Sequence, residues 1–159
     1  MERSDVVRDI SALVMRWQDV TQAFDEAVRA RHGLSISEGM CLSELFHGSR
    51  TAGALAAVSG LTPAAITALI DRLEARGFVR RARSAEDRRK VMVEMGPKAQ
   101  ELAERHYLPI GNEGLRALDS YTDIELKVIH RFLVESVGLQ EKHLAALQAG
   151  EESPAASAR

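Results

Sequence analysis

Six basic side chains crowd positions 80 to 90: Arg80, Arg81, Arg83, Arg88, Arg89 and Lys90. A guanidinium is flat, permanently charged and forked, so it pairs with phosphate oxygens and fits a narrow, electronegative groove. Arginines at this density suit a polyanion. Taken alone, a run such as EDRRK is an ordinary solvated turn, and only its surroundings give it weight. The formal charge of the 159-residue chain is -2, but the charge is unevenly spread. Residues 1–49 carry 5 Lys/Arg against 8 Asp/Glu, and residues 96–159 carry 7 against 10. Residues 50–95 carry 9 against 5, with eight of those nine bases between Arg72 and Lys90. A positive patch on an acidic body concentrates attraction for an anionic partner at one place.

Other chemistries find little support. No phosphate loop, G-x-S-x-G elbow or nucleophile–base set is present, so an enzyme is not expected. The single cysteine, Cys41, excludes an internal disulfide and sits among Met40, Leu42 and Leu45, where a small inert hydrophobe is the ordinary reading and a redox sensor the alternative. His32, His47, His106, His130 and His143 show no paired ligand spacing, and no metal or other cofactor is expected. A pairing of Cys41 with His106 across the fold is the alternative left open. No apolar run approaches the roughly 18 residues of a membrane span, and MERSDVVRDI lacks the apolar core of a signal peptide, so no membrane partner and a cytoplasmic location are expected.

The elements that must position the bases follow from periodicity. Val6, Ile10, Leu13, Trp17, Val20, Phe24 and Val28 recur at steps of three and four, which predicts a long amphipathic helix ending near Gly33. Ser35 with Glu38 is a capping-box pattern opening a helix to about Phe46. Thr51 caps a short alanine-rich helix to about Val58, and Ser59-Gly60 turns the chain. Thr62, with Pro63 at the first helical position, opens a helix that buries Ile66, Leu69, Ile70 and Leu73 and stops at Gly77. Two helices across a tight glycine turn have the shape of a helix-turn-helix. Phe78 to Arg83 and Val91 to Met95 then read as a hairpin with SAEDRRK at its tip. Pro97 opens a further helix carrying Ala99, Leu102 and Ala103, with a kink or break expected near Pro109. Thr122 and Glu125 form a second capping box, before a long helix marked by Ile124, Val128, Phe132, Val137, Leu144 and Leu147.

A helix-turn-helix followed by a two-stranded wing is a winged helix, whose second helix can enter the major groove of DNA while the wing reaches the minor groove or backbone. The segment DRLEARGFVRRARSAEDRRKVMVEMGPKAQEL closely resembles the signature of MarR-family transcription regulators, and GLTPAAIT resembles the entry to their recognition helix. The resemblance runs over about residues 5 to 145; Lys98-Ala99 departs from the small residue or glycine often found at the second of those positions. It implies a mainly α fold with a small β-hairpin wing. Residues 35–96 would form the winged helix-turn-helix lobe, residues 1–34 and 97–148 a helical dimerisation region, and residues 149–159 a disordered tail. It also implies that Arg89 enters the minor groove, that Asp87 orients the wing's bases, and that Arg88 contacts phosphate or turns back toward the body.

On the recognition helix, the outer face would carry Thr62, Ala64, Ala65, Thr67, Ala68 and Arg72, of which only Thr62, Thr67 and Arg72 can hydrogen-bond. The alanines either let the helix sit deep against thymine methyls or serve helix propensity. With Arg83 and the wing residues Asp87, Arg88 and Arg89, these are the expected DNA contacts. Asp71 would be repelled by phosphate and suits an ion pair with an arginine. Some members of the family bind small aromatic anions in a groove beside the DNA-binding lobe, and here Trp17 and Asp71 are the candidates to line it, with Arg83 or Arg89 as counter-charge. The expected partners are double-stranded DNA, a second copy of the chain and such an effector. The expected role is a repressor on a pseudo-palindromic operator; a protein-binding winged helix and a redox regulator acting through Cys41 are the alternatives.

Overall fold

Every helix start that the sequence marks with a hydroxyl cap is a helix start in the computed structural model, which describes residues 2–83 and 90–150. Helix α1 (Arg3–Arg31) is followed by α2 (Ile36–Phe46), where Ser35 Oγ accepts from the Glu38 N–H and Glu38 returns a carboxylate to the Ser35 N–H. Thr51 caps α3 (Ala52–Ser59) and Thr62 caps α4 (Pro63–Ala75), each accepting from an N–H three residues on. These hydroxyls satisfy helix-end donors that would otherwise lack partners. Between α3 and α4, Gly60 takes the left-handed conformation at φ 64°, and the helices meet at 107°. That is the geometry of a helix-turn-helix.

Strands β2 (Val79–Arg83) and β3 (Val91–Met95) pair antiparallel, Val79 opposite Met95 and Arg83 opposite Val91. A third strand that sequence patterning does not reveal, β1 (Arg50–Thr51), pairs with the other edge of β3 and makes the sheet order β1-β3-β2. Two residues are too few to show alternation, so only the pairing itself identifies β1. At the root of the hairpin Gly77 has φ 81°, and the Gly96 N–H donates to the Phe78 carbonyl at 2.8 Å. A Cβ on Gly96 would lie 2.6 Å from the Gly77 carbonyl oxygen, so the backbones meet here only because Gly96 lacks one.

The core joins Ile66, Leu69, Ile70 and Leu73 of α4 to Leu55 of α3, Cys41 and Leu45 of α2, Val93 of β3 and Phe78. Val28 of α1 and Ala99 and Leu102 of α5 (Pro97–Leu102) belong to the same cluster. The chain divides by packing into Met1–Pro109 and Ile110–Arg159. Near Pro109, where a kink or break is expected, the helix does not stop; a π-helical turn, Ala103–Tyr107, lies directly before α6 (Leu108–Leu118), which includes Pro109. The Leu108 N–H donates to the Ala103 carbonyl, five residues back, and Pro109, which has no N–H to donate, falls at the second position of α6. Helix α7 (Asp123–Gln148) opens with the Thr122–Glu125 capping box, whose backbone hydrogen bond holds the Glu125 carboxyl below its usual range. The end of the expected tail, residues 151–159, lies outside the described residues. No single described helix is long and apolar enough to cross a membrane.

Candidate nucleic-acid interface

Helix α4 is two-faced. Its inner residues are 0% to 2% exposed, while Thr62, Ala64, Thr67, Ala68 and Arg72 face solvent and Ala65 is half-buried. The Thr62 hydroxyl is occupied as the cap of Ala65, and the Thr67 hydroxyl donates to the Pro63 carbonyl at 2.9 Å. Arg72 is largely exposed, with Nε 4.0 Å from Glu38 Oε1. The outer surface is thus mostly methyl groups, with one guanidinium near its C-terminal end.

The arginines beside it divide into two groups. Arg80 pairs across the sheet with Glu94 at 2.9 Å. Arg81 is held by two carboxylates of α4: Nη2 meets Asp71 Oδ1 at 2.5 Å, Nη1 donates to Glu74 Oε2, and the Arg81 N–H donates to Glu74 Oε1 at 3.0 Å. The hydrogen bond to Asp71 pushes the Arg81 guanidinium further up from its ordinary range. These ties fasten the base of the wing to α4. Arg83, the last residue of β2, and Lys90, just before β3, have no carboxylate partner among the described residues. Asp87, Arg88 and Arg89 lie outside the described residues.

Arg76, which sequence reasoning did not single out, caps α4 and ties three elements together. Nη2 donates to the His32 carbonyl at 2.8 Å and to the Gly33 carbonyl at 3.0 Å, Nη1 lies 3.4 Å from Glu38 Oε1, and the guanidinium stacks over the Phe78 ring at 4.9 Å. Glu38 is the charged residue in the described core, 5% exposed, so its carboxylate needs these partners. The guanidinium thereby sets the end of α4 against the end of α1.

Residues 34–91 match the model of the MarR family. A relative described as the uncharacterized HTH-type transcriptional regulator YcgE of Bacillus subtilis (strain 168) is 31% identical over 101 residues, 64% of this chain and 66% of the relative. The MarR-family pattern is thus found in residues 34–91 of the chain. The match to that relative spans just under two thirds of either chain. Among solved structures, transcriptional regulator Tm0710 from Thermotoga maritima is similar with a TM-score of 0.57 at 19% identity, covering 87% of this chain and 98% of that one. A MarR family protein from Bacillus stearothermophilus gives 0.58 at 20%, covering 89% and 99%. At these identities the likeness is one of fold.

A cavity of about 560 Å³ opens between α1, α2 and the α5 region. Its wall is mainly apolar, with Val28, Met40, Phe46 and Leu102, and Arg29 is the one cation among its described lining residues. Gly39 lets the Arg29 stem pass, since a Cβ there would meet it at 2.4 Å. Tyr107 Oη donates to Asp25 Oδ1 at 3.0 Å; burial, then that bond, pushes the phenol up to about 12. The expected pocket residues are elsewhere. Trp17 stands 63% exposed on α1 and Asp71 is engaged by Arg81, and neither lines this cavity. Of the expected counter-charges, Arg83 is not in the cavity wall and Arg89 lies outside the described residues; Arg29 is the cation that lines the space.

Cys41 is 1% exposed, and burial pushes its thiol up from the ordinary range. His106 meets His32, their Nε2 atoms 3.1 Å apart, and not Cys41.

Proposed function

We propose that this protein is a homodimeric, sequence-specific DNA-binding transcription regulator of the MarR family that works in the cytoplasm as an effector-responsive repressor. The observation that carries the reading is the two-faced α4: its apolar side is locked in the core while a low, methyl-rich side faces outward immediately before a basic wing. A helix of that kind sits close in a major groove and contacts thymine methyls, and the wing bases, among them Arg83 and Lys90 with no carboxylate partner among the described residues, supply phosphate and minor-groove contacts. Thr62, Ala64, Ala65, Thr67, Ala68, Arg72, Arg83, Arg88 and Arg89 are the proposed contacts, with Asp87 orienting the wing.

Support for the dimer comes from apolar stripes without partners in one copy: Val7, Leu13, Trp17 and Val20 on α1, Leu115 on α6, and Ile124, Val128, Val137 and Leu147 on α7 are all more than half exposed. A second copy would cover such stripes. Two-fold symmetry then calls for a pseudo-palindromic operator with half-site centres about one helical turn apart. For the effector, the mainly apolar cavity suits an amphipathic anion whose charged group reaches Arg29, the two carboxylates among the described lining residues being engaged elsewhere, Asp25 by Tyr107 and Glu44 by Arg50.

Selection from a random duplex library tests the reading with wild type and Arg89→Ala. A pseudo-palindrome bound with steep salt dependence, and weakened by Arg89→Ala, is the expected result. Salt-insensitive capture of protein and no enriched duplex would instead make the winged helix a protein-binding module.

A further inference from the structure

His32 ends α1 and His106 lies in the π-helical turn, 74 positions later. Their Nε2 atoms are 3.1 Å apart, the ring centroids 5.2 Å apart and the planes at 72°. The centroid separation exceeds the Nε2 separation by nearly two ring radii, so the imidazoles meet tip to tip. That contact needs one N–H and one lone pair. It persists when both rings are neutral, and when one is an imidazolium donating to the other. With a second proton both tips are donors of like charge, and the contact is lost.

The same residue bears on α4 through its backbone, because the His32 carbonyl and its neighbour Gly33 accept from Arg76. We propose that the His32–His106 contact is a proton-sensitive joint: uptake of a second proton separates the imidazoles, loosens the end of α1 from the Arg76 cap of α4, and weakens DNA binding as the pH falls. Only the last step rests on the DNA-binding reading.

The surrounding charges set where this happens. Arg31 on α1 and Arg105 in the π-helical turn oppose a further proton, Glu101 on α5 favours it, and the Arg76 guanidinium approaches from the end of α4. Burial, and then His106, lower the proton affinity of His32. A histidine depressed in this way costs the joined state nothing above the ordinary imidazole range. The cost grows as the pH falls through that range toward the depressed value, so acid favours separation. Two neutral imidazoles also suit a transition-metal ion. Tip-to-tip rings, however, do not aim both lone pairs at a shared point, and the nearby arginines repel a dication.

Imidazole ¹⁵N NMR of the full chain over the mildly acidic range tests the joint directly, alongside affinity for the duplex recovered by the selection above. His106→Gln keeps a hydrogen-bonding tip that does not titrate. In wild type, the second proton of the pair should bind below the ordinary imidazole range. In His106→Gln, His32 should titrate closer to that range. Wild type should lose about tenfold more DNA affinity than His106→Gln between about pH 7.5 and about pH 5.5. Independent titration of the two rings in the ordinary range, or matching pH profiles for the two proteins, would overturn the proposal. So would stoichiometric Zn²⁺ uptake by both rings at neutral pH, which would make the pair a metal site. If His106→Gln does not fold, the wild-type titration decides alone. If no duplex is recovered, the DNA-binding reading fails and the titration still judges the joint.

Discussion

Arg81 of β2 and Asp71 of α4 are joined at 2.5 Å, so a base that the sequence adds to the wing's positive charge is spent on holding the wing to the helix. Asp71→Asn removes a carboxylate from the outer surface of α4 and weakens the hold on Arg81. On random-sequence duplex the plot of log affinity against log salt should steepen by about one unit, with affinity rising at low salt. An unchanged slope would place Asp71 and Arg81 away from the phosphates.

Arg76→Ala leaves the His32 and Gly33 carbonyls without their donor and strips the buried Glu38 of its nearest cation. Chemical denaturation should show a loss of about 2 kcal/mol. Arg76→Lys should recover only part of it, because one ammonium cannot reach both carbonyls and the carboxylate with the geometry of a fork.

Gly96→Ala should cost about 1–3 kcal/mol, as the new methyl must push Gly77 and Phe78 away at the root of the wing. A midpoint within error of wild type would mean that the hairpin root gives way more easily than the 2.6 Å approach suggests.

Cys41 should resist thiol reagents in the folded protein. Burial raises its pKa, so the reactive thiolate forms only above the ordinary thiol range, and labelling should stay slow at neutral pH and speed up on unfolding. Peroxide should leave DNA binding unchanged. Rapid native labelling would restore the redox reading.

Val128→Glu on α7 places a charge within an exposed apolar stripe. Sedimentation should show a monomer with an intact helical spectrum, and affinity for the selected duplex should drop by about a hundredfold or more as two-site attachment is lost. A dimer of wild-type stability would locate the interface away from this stripe.

What could be read from the sequence was local. Ser35, Thr51, Thr62 and Thr122 mark helix starts because a cap satisfies donors three residues away, and the apolar steps of α4 give its buried face directly. What could not be read depends on partners distant in the chain. Arg76 meets the His32 carbonyl across 44 positions and His106 meets His32 across 74, and neither separation leaves a periodic trace. Charge counting also misleads at Arg80 and Arg81: an arginine partner for Asp71 is legible in the sequence, but that it is Arg81, with Glu74 beside it, and that Glu94 takes Arg80, is shown only by the fold. Pro109 suggests a kink or break, and only the fold shows that the helix runs on through it after a π-helical turn. Residue type singles out Trp17 and Asp71 for a pocket, but only the fold shows that the cavity between α1 and α2 is lined by neither and has Arg29, threaded past Gly39, in its wall.

The Thr67 hydroxyl has already given its proton to the Pro63 carbonyl. In the proposed interface it would therefore present only a lone pair and a methyl group to a base edge. It can accept from the amino group of adenine or cytosine, and its methyl can lie against that of thymine, but it has nothing to donate to the acceptor pair of guanine. The base step beneath Thr67 should be one at which guanine is disfavoured on the contacted strand. Thr67→Val, which keeps the shape and deletes the acceptor, should reduce the preference for amino-bearing bases while leaving that for thymine in place.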